Sequence, residues 1–304
     1  MGMAMLMILA FHLSRGYDVF LFKSIFSRGF YGVDIFLFFS ALGCSFSYNR
    51  NKLSKFYCNR AKRVLPLFYV LVCFRLLWAL SSGDNLNMSD VLATITGFSY
   101  FKIFGGYWID WYLCALLLLY GTFPLFFNYV RKYELGGVIF ISVLSTILLL
   151  LVPMPWEHSC LLGRLTIFAL GIMYYVRDGN ITDTDMKIIR WLTAYGLFLL
   201  SVDLLLPNNR TRFLAPAFVA PLMIWLLAKL YEKLETHCAG TLSCVEFLGK
   251  HSLEIYVANC MSMVICHQGL GLQGYTGVAI EICILGILSV SLFYLNKILT
   301  LKLG

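Results

Sequence analysis

Charge is what this sequence has little of. Only 13% of its 304 residues are Asp, Glu, Lys or Arg, whereas 60% are apolar. So few charged side chains cannot cover a water-facing surface, which excludes an ordinary soluble domain. Paired cysteines are also missing. The ten Cys, among them Cys44, Cys73, Cys114, Cys260, Cys266 and Cys283, stand singly with no C-x-x-C pair and no His-spaced partner. They read as small hydrophobes, and neither a disulfide nor a metal site is expected. The N-terminus has neither the charged region nor the small-residue cleavage site of a secretory signal, so the first apolar run is read as the first span. No internal repeat, low-complexity tail or soluble domain is present, which leaves residues 1–304 as one integral membrane domain. A net charge of +8 does not point to nucleic acid, because the Lys and Arg sit in short links between apolar runs.

What is there is a succession of apolar runs. They cover 1–13, 31–48, 64–80, 108–129, 135–152, 160–176, 189–206, 213–230, 252–267 and 277–298. Each is read as a helical span, giving an all-α bundle of about ten transmembrane helices. The segment 91–106 carries Lys102 and ends in Gly105-Gly106, so it reads as re-entrant or interfacial. Sixteen of the 24 Lys and Arg then fall on inner links and seven on outer ones, with Arg75 inside a span, when both termini are placed in the cytoplasm. This bias predicts an N-in, C-in arrangement. The run 1–13 covers only about 20 Å of a hydrocarbon core of about 30 Å. The expectation is a short helix to which the bilayer adapts, or a start that lacks a turn or two.

The densest stretch is 29–66, GFYGVDIFLFFSALGCSFSY followed by NRNKLSKFYCNRAKRVLP. It reads as an oily helix leading into a basic cytoplasmic loop that Pro66 closes. Asp34 lies in the apolar part, where a carboxylate is costly unless paired or wetted and is therefore a functional candidate. His12, at the outer end of the first run, is a candidate general base, with an interfacial His as the plainer reading. A short outer link lets Asp34 orient the imidazole, and the alternative is an ion pair with Arg15 or Arg28. Ser40, Gly43 and Ser47 form a small-residue face that suits close helix packing and is compatible with a narrow ligand channel. Arg60 and Arg63, one turn apart, can hold phosphate by bidentate hydrogen bonds, although any such basic cluster is first a positive-inside signal. Arg164 is placed at the outer mouth of a span, and Trp111, Tyr112 and Tyr120 lie in the preceding long one, where aromatic-belt or packing roles are common.

In order and content these pieces resemble the acyltransferase-3 family of integral membrane acyltransferases. The motifs are His12; Gly32, Val33, Asp34, Phe36 and Ser40; Arg60, Arg63 and Pro66; Trp111, Tyr112, Leu113, Tyr120 and Pro124; Arg164, Leu165, Phe168 and Gly171; and Ser252, Leu253, Ile255 and Tyr256. Ala41, Leu116 and Asn259 depart from the family pattern, a late His being frequent at the last. The resemblance implies acetyl-coenzyme A as cytoplasmic donor, no metal, and a glycan or lipid-linked sugar hydroxyl as acceptor. It also implies His12 as catalytic base and Arg60 with Arg63 on the donor phosphates. Asp34 is then assigned beside His12, Ser40 to the donor path, and Arg164, Trp111 and Tyr112 to the acceptor. The expected setting is a bacterial inner membrane with lipid around the bundle, and a homo-oligomer is left open. The competing classes are a polysaccharide flippase, polymerase or transporter, and an inactive relative of the family.

Overall fold

The computed structural model describes residues 1–16, 26–101, 111–205, 209–237 and 239–303. Lys102, Gly105, Gly106 and the start of the run 108–129 lie outside them, as does the Arg15 side chain. The described residues form helices joined by short links, without strands. In chain order the helices are α1 Gly2–Gly16, α2 Gly32–Arg50, α3 Leu53–Ser81, α4 Met88–Thr96, α5 Trp111–Leu151, α6 Trp156–Leu162 and α7 Leu165–Val176. These are followed by α8 Asp183–Leu205, α9 Asn209–His237, α10 Ala239–Lys250, α11 Ser252–Met263 and α12 Gly274–Leu303. A 3₁₀ turn, Gly29–Tyr31, leads into α2, and a π-helical turn, Val264–Gly269, follows α11.

Seven stretches among the described residues are long and apolar enough to cross a membrane: Gly29–Arg50, Leu53–Ser81, Trp111–Leu151, Trp156–Val176, Asp183–Leu205, Arg212–Thr236 and Gly274–Leu299. Their outward positions are apolar too. Trp191 is 77% exposed and Leu205 81% exposed, and side chains of this kind need lipid rather than water around them. α4 is nine residues long, about 13 Å, and does not span. Asn87 starts it by accepting a hydrogen bond from Ser89 N, and Gly97 ends it with φ 76°.

Three local expectations are corrected. The basic segment before Pro66 is not a loop: residues 53–65 are the opening turns of α3, with Pro66 inside the helix. Only Asn51 and Lys52 link α2 to α3, and Asn51 Nδ2 donates to Ser47 O to finish α2. The run 160–176 is not one helix: α6 stops at Leu162 and α7 starts at Leu165, so Gly163 and Arg164 occupy a break within the span rather than its mouth. The run 252–267 changes from α to π winding at Val264. The expected separation of 108–129 from 135–152 is present inside α5. Glu134 takes φ 45°, ψ −122°. The Tyr129 ring lies 5.7 Å from that of Phe140, whereas residues eleven apart in a straight helix stand about 16 Å apart.

Contacts divide the chain into two compact units. The first contains Met1–Ile8, Phe30–Leu53 and Gly121–Gly249. In it α2 packs on α7, α8 on α9, and α9 on α2, α6 and α7. Glycines set the closest approaches: a Cβ on Gly171 would lie 2.5 Å from Phe38 O and 2.9 Å from Ala41 Cβ, and one on Gly196 would lie 2.6 Å from Phe218 Cβ. The small-residue contact of α2 therefore runs through Ala41. On the expected Ser40, Gly43, Ser47 face, a Cβ on Gly43 would meet nothing within 4 Å. Where α8 begins, Thr182 and Asp185 form a capping box, Thr182 N donating to Asp185 Oδ2 at 3.0 Å and Asp185 N to Thr182 Oγ at 3.2 Å. Arg177 bridges this box to Glu134, with Nη1 2.6 Å from Asp185 Oδ2, so the reversal in α5 is tied to the start of α8.

The second unit contains Leu9–Gly29, Ser54–Tyr120 and Lys250–Gly304. Here α11 packs on α12. Asn296 Nδ2 donates to Glu254 Oε1 at 2.8 Å, and the His251 and Phe293 rings meet edge to face at 4.6 Å. Leu13 of α1 and Val278 of α12 are buried in one cluster, against which Leu272 packs.

Replacing Gly171 with Leu forces a side chain against the Phe38 carbonyl. Overpacking of this kind costs about 1–3 kcal/mol. The purified protein is expected to unfold at lower temperature, which circular dichroism in detergent measures.

Candidate active site

His12 sits on the last full turn of α1, half-buried, just before Leu13 and Ser14. Ser14 Oγ donates to Phe11 O at 2.7 Å, closing that turn on itself. Leu13 is held by Val278, which fixes the register in which His12 meets α11. There the imidazole Nδ1 lies 2.6 Å from Nδ2 of Asn259, a residue only 1% exposed. The same amide nitrogen is 3.6 Å from Met263 Sδ. One turn along α11, Ser262 Oγ donates to Asn259 O at 3.0 Å and stands 3.4 Å from Glu281 Oε1. His267 Nε2, in the π-turn, is 3.2 Å from Glu281 Oε2. The cluster His12, Asn259, Ser262, His267 and Glu281 is thus assembled from α1, α11, the π-turn and α12.

Asp34 is fully buried in the first unit, and its carboxylate faces Arg164. Arg164 Nε stands 3.3 Å from Asp34 Oδ2, and Arg164 Nη1 donates to Cys160 O at 2.9 Å. This pairing with Arg164 is one the sequence reading did not weigh, since it set Asp34 beside His12 or, alternatively, against Arg15 or Arg28. The pairing also relocates Arg164, which is 2% exposed inside the α6–α7 break and braces α2 against that break. The break explains the partner: a span interrupted at Gly163 leaves Cys160 O without a following helical turn, and the guanidinium supplies the missing donor. Gly163 permits the break to approach α9, since a Cβ there would lie 2.3 Å from Phe213 O.

Arg60 lies on α3 near two rings, its Cζ 6.0 Å from the Phe56 centroid and 5.8 Å from that of Tyr120. Arg63 follows one turn on and is exposed. Ser40 is half-buried beside the open position at Gly43. Tyr112 is buried with its ring 5.0 Å from that of Tyr256, and Trp111 is half-buried next to it.

A family profile described as an acyltransferase domain matches residues 2–295. The chain belongs to this acyltransferase family. Neither a curated protein nor a solved structure matches it. As a multi-pass membrane acyltransferase, it must hold a group that takes a proton from an acceptor and a group that recognises a donor. The His12 cluster has the chemistry for the first, and Arg60 with Arg63 has the chemistry for the second.

Sequence reasoning missed Ser262, His267 and Glu281, and it read Asn259 only as a departure from the family pattern. Glu281 was open to discovery by the argument used for Asp34, since it is a lone carboxylate in the apolar run 277–298. Nothing in the sequence marked Ser262 or the π-turn.

Removing one member of the Asp34–Arg164 pair leaves a buried charge unpaired and costs about 3–5 kcal/mol, whereas replacing both with apolar groups is often close to neutral. Arg164→Met is therefore expected to lower the unfolding midpoint markedly, and Arg164→Met combined with Asp34→Leu to recover most of it. Thermal unfolding of the two variants in detergent measures the difference.

Proposed function

We propose that this protein transfers an acyl group, acetyl in the simplest case, from acyl-coenzyme A to a hydroxyl of a cell-surface glycan or lipid-linked sugar. The observation that carries the reading is the His12 imidazole held against a buried Asn259 amide in a chain of the acyltransferase family. His12 takes the proton of the acceptor hydroxyl as its oxygen attacks the thioester carbonyl. The carbon–sulfur bond breaks, and the proton ends on the departing thiol.

Arg60 and Arg63 grip the donor's phosphates. Arg60 lies within cation–π distance of the Phe56 and Tyr120 rings, contacts that orient a guanidinium, whose planar fork suits phosphate. Ser40 is assigned to the pantetheine arm, and Trp111 and Tyr112 to packing near the acceptor, as the family resemblance implies. Asp34 and Arg164 serve the reaction as a brace. The charge bias of the links supports an N-in, C-in bundle of about ten spans in a bacterial inner membrane, with the donor reached from the cytoplasm.

His12→Ala is expected to lower transfer about 10²–10⁴-fold, the usual contribution of a general base, without loss of the folded protein. Mass spectrometry of surface glycans from cells with and without this variant reads the added acyl mass, and a normal acyl content would remove His12 from the mechanism. Arg60→Ala loses a charge-assisted hydrogen bond of about 1.5–3 kcal/mol, or about 10–100-fold in donor Kd. Calorimetric titration with coenzyme A checks this.

A further inference from the structure

Asn259 has no place in the family pattern as the sequence shows it, yet its amide is the group the structure sets against His12. We propose that Asn259 is a positioning residue whose side-chain amide decides which imidazole nitrogen of His12 carries the proton. The inference rests on the reading of His12 as the base.

A neutral imidazole has one N–H and one bare nitrogen, and the hydrogen bond at one position decides the state of the other. In the structure the Asn259 amide nitrogen faces Nδ1 at 2.6 Å. An N–H donor there needs a bare Nδ1 and so places the proton on Nε2. That is a resting form, because a protonated Nε2 cannot accept a proton from an alcohol.

A half turn of the amide about its terminal bond exchanges nitrogen for oxygen with almost no change of shape. The oxygen then accepts from Nδ1–H, and Nε2 is left bare to act as the base. Only this second arrangement also suits the imidazolium that forms during attack, since that ion carries hydrogen on both nitrogens and an amide N–H would be turned against one of them.

The surroundings let the amide turn while holding its backbone still. Asn259 is 1% exposed, so water does not compete for the amide. Its backbone carbonyl accepts from Ser262 Oγ at 3.0 Å. The amide nitrogen also lies 3.6 Å from Met263 Sδ, a weak acceptor that does little to hold one orientation. The short side-chain contact of Asn259 is the one to His12 at 2.6 Å, so the imidazole is the group that the amide's orientation answers to.

The test uses the full chain in lipid nanodiscs, with ¹⁵N-labelled histidine and assignment of the His12 signals by loss in His12→Ala. Asn259→Leu keeps the volume and removes both hydrogen-bonding atoms. It is expected to change the Nδ1 and Nε2 shifts toward those of an imidazole without a partner at Nδ1, and to lower kcat about 10–100-fold with donor KM unchanged. An unaltered His12 spectrum would overturn the proposal, as would altered donor KM at full kcat.

Asn259→Asp covers the case in which the Leu variant fails to fold. A carboxylate presents only oxygen, so the His12 signals are expected to move to the Nδ1–H form, and a wild-type spectrum would again overturn the proposal. The two readings fail separately. If Asn259→Leu changes the tautomer but His12→Ala still transfers acyl groups, His12 is not the base. If His12→Ala is inactive and the tautomer ignores Asn259, the base stands and the positioning role falls.

Discussion

Burying a carboxylate in an apolar bundle is the constraint on which the first unit depends. Asp34 has no water to face, and its charge is tolerable only beside a cation that is itself buried. Arg164 meets that need, and a broken span is what brings it there. The α6–α7 break frees the Cys160 carbonyl, the guanidinium donates to that carbonyl and sets its charge against the carboxylate, and Gly163 and Gly171 let α9 and α2 close around the pair. Each irregularity supports the next: without the break Arg164 would continue a helix, and without the glycines the helices would stand too far apart to keep water out.

The second unit handles its polar groups differently. A row of its polar groups lies along the α11–α12 contact, with Glu254 and Asn296 at one end and Ser262, Glu281 and His267 at the other. The π-turn comes where His267 must meet Glu281, and an added residue per turn is a recurrent means of re-aiming a side chain at a functional site. His12 joins this polar seam through Asn259. The base proposed for the reaction therefore belongs to a hydrogen-bonded set, whereas the Asp34–Arg164 pair stands as a brace in the other unit.

Much of this was legible in the sequence. Apolar run lengths gave the helical class and most helix positions, and the family's motifs gave the kind of chemistry. The same runs did not show where a helix breaks, because Gly163 and Arg164 interrupt hydrogen bonding without interrupting hydropathy. Asp34 stood out as a carboxylate in oil. Its partner did not, since the pairing joins residues 130 positions apart, and a single sequence offers nearer cations such as Arg28. Pro66 misled in the opposite sense: proline was read as closing a loop, yet α3 carries it inside a helix whose packing outweighs one lost bond.

The length of α3 has a consequence for the surroundings of Arg60 and Arg63. Its 29 residues extend about 43 Å, against a hydrocarbon core of about 30 Å, so part of it stands outside that core, and the end that carries Lys55, Arg60, Lys62 and Arg63 is the one whose charge suits the headgroup region. A cation at that depth attracts anionic headgroups by about 1 kcal/mol. A phosphate-bearing ligand for arginines at that depth competes with lipid phosphate, so its apparent affinity is a property of the leaflet as well as of the protein. Reconstitution into bilayers of different surface charge therefore alters the ligand's competitor even when every side chain stays where it is.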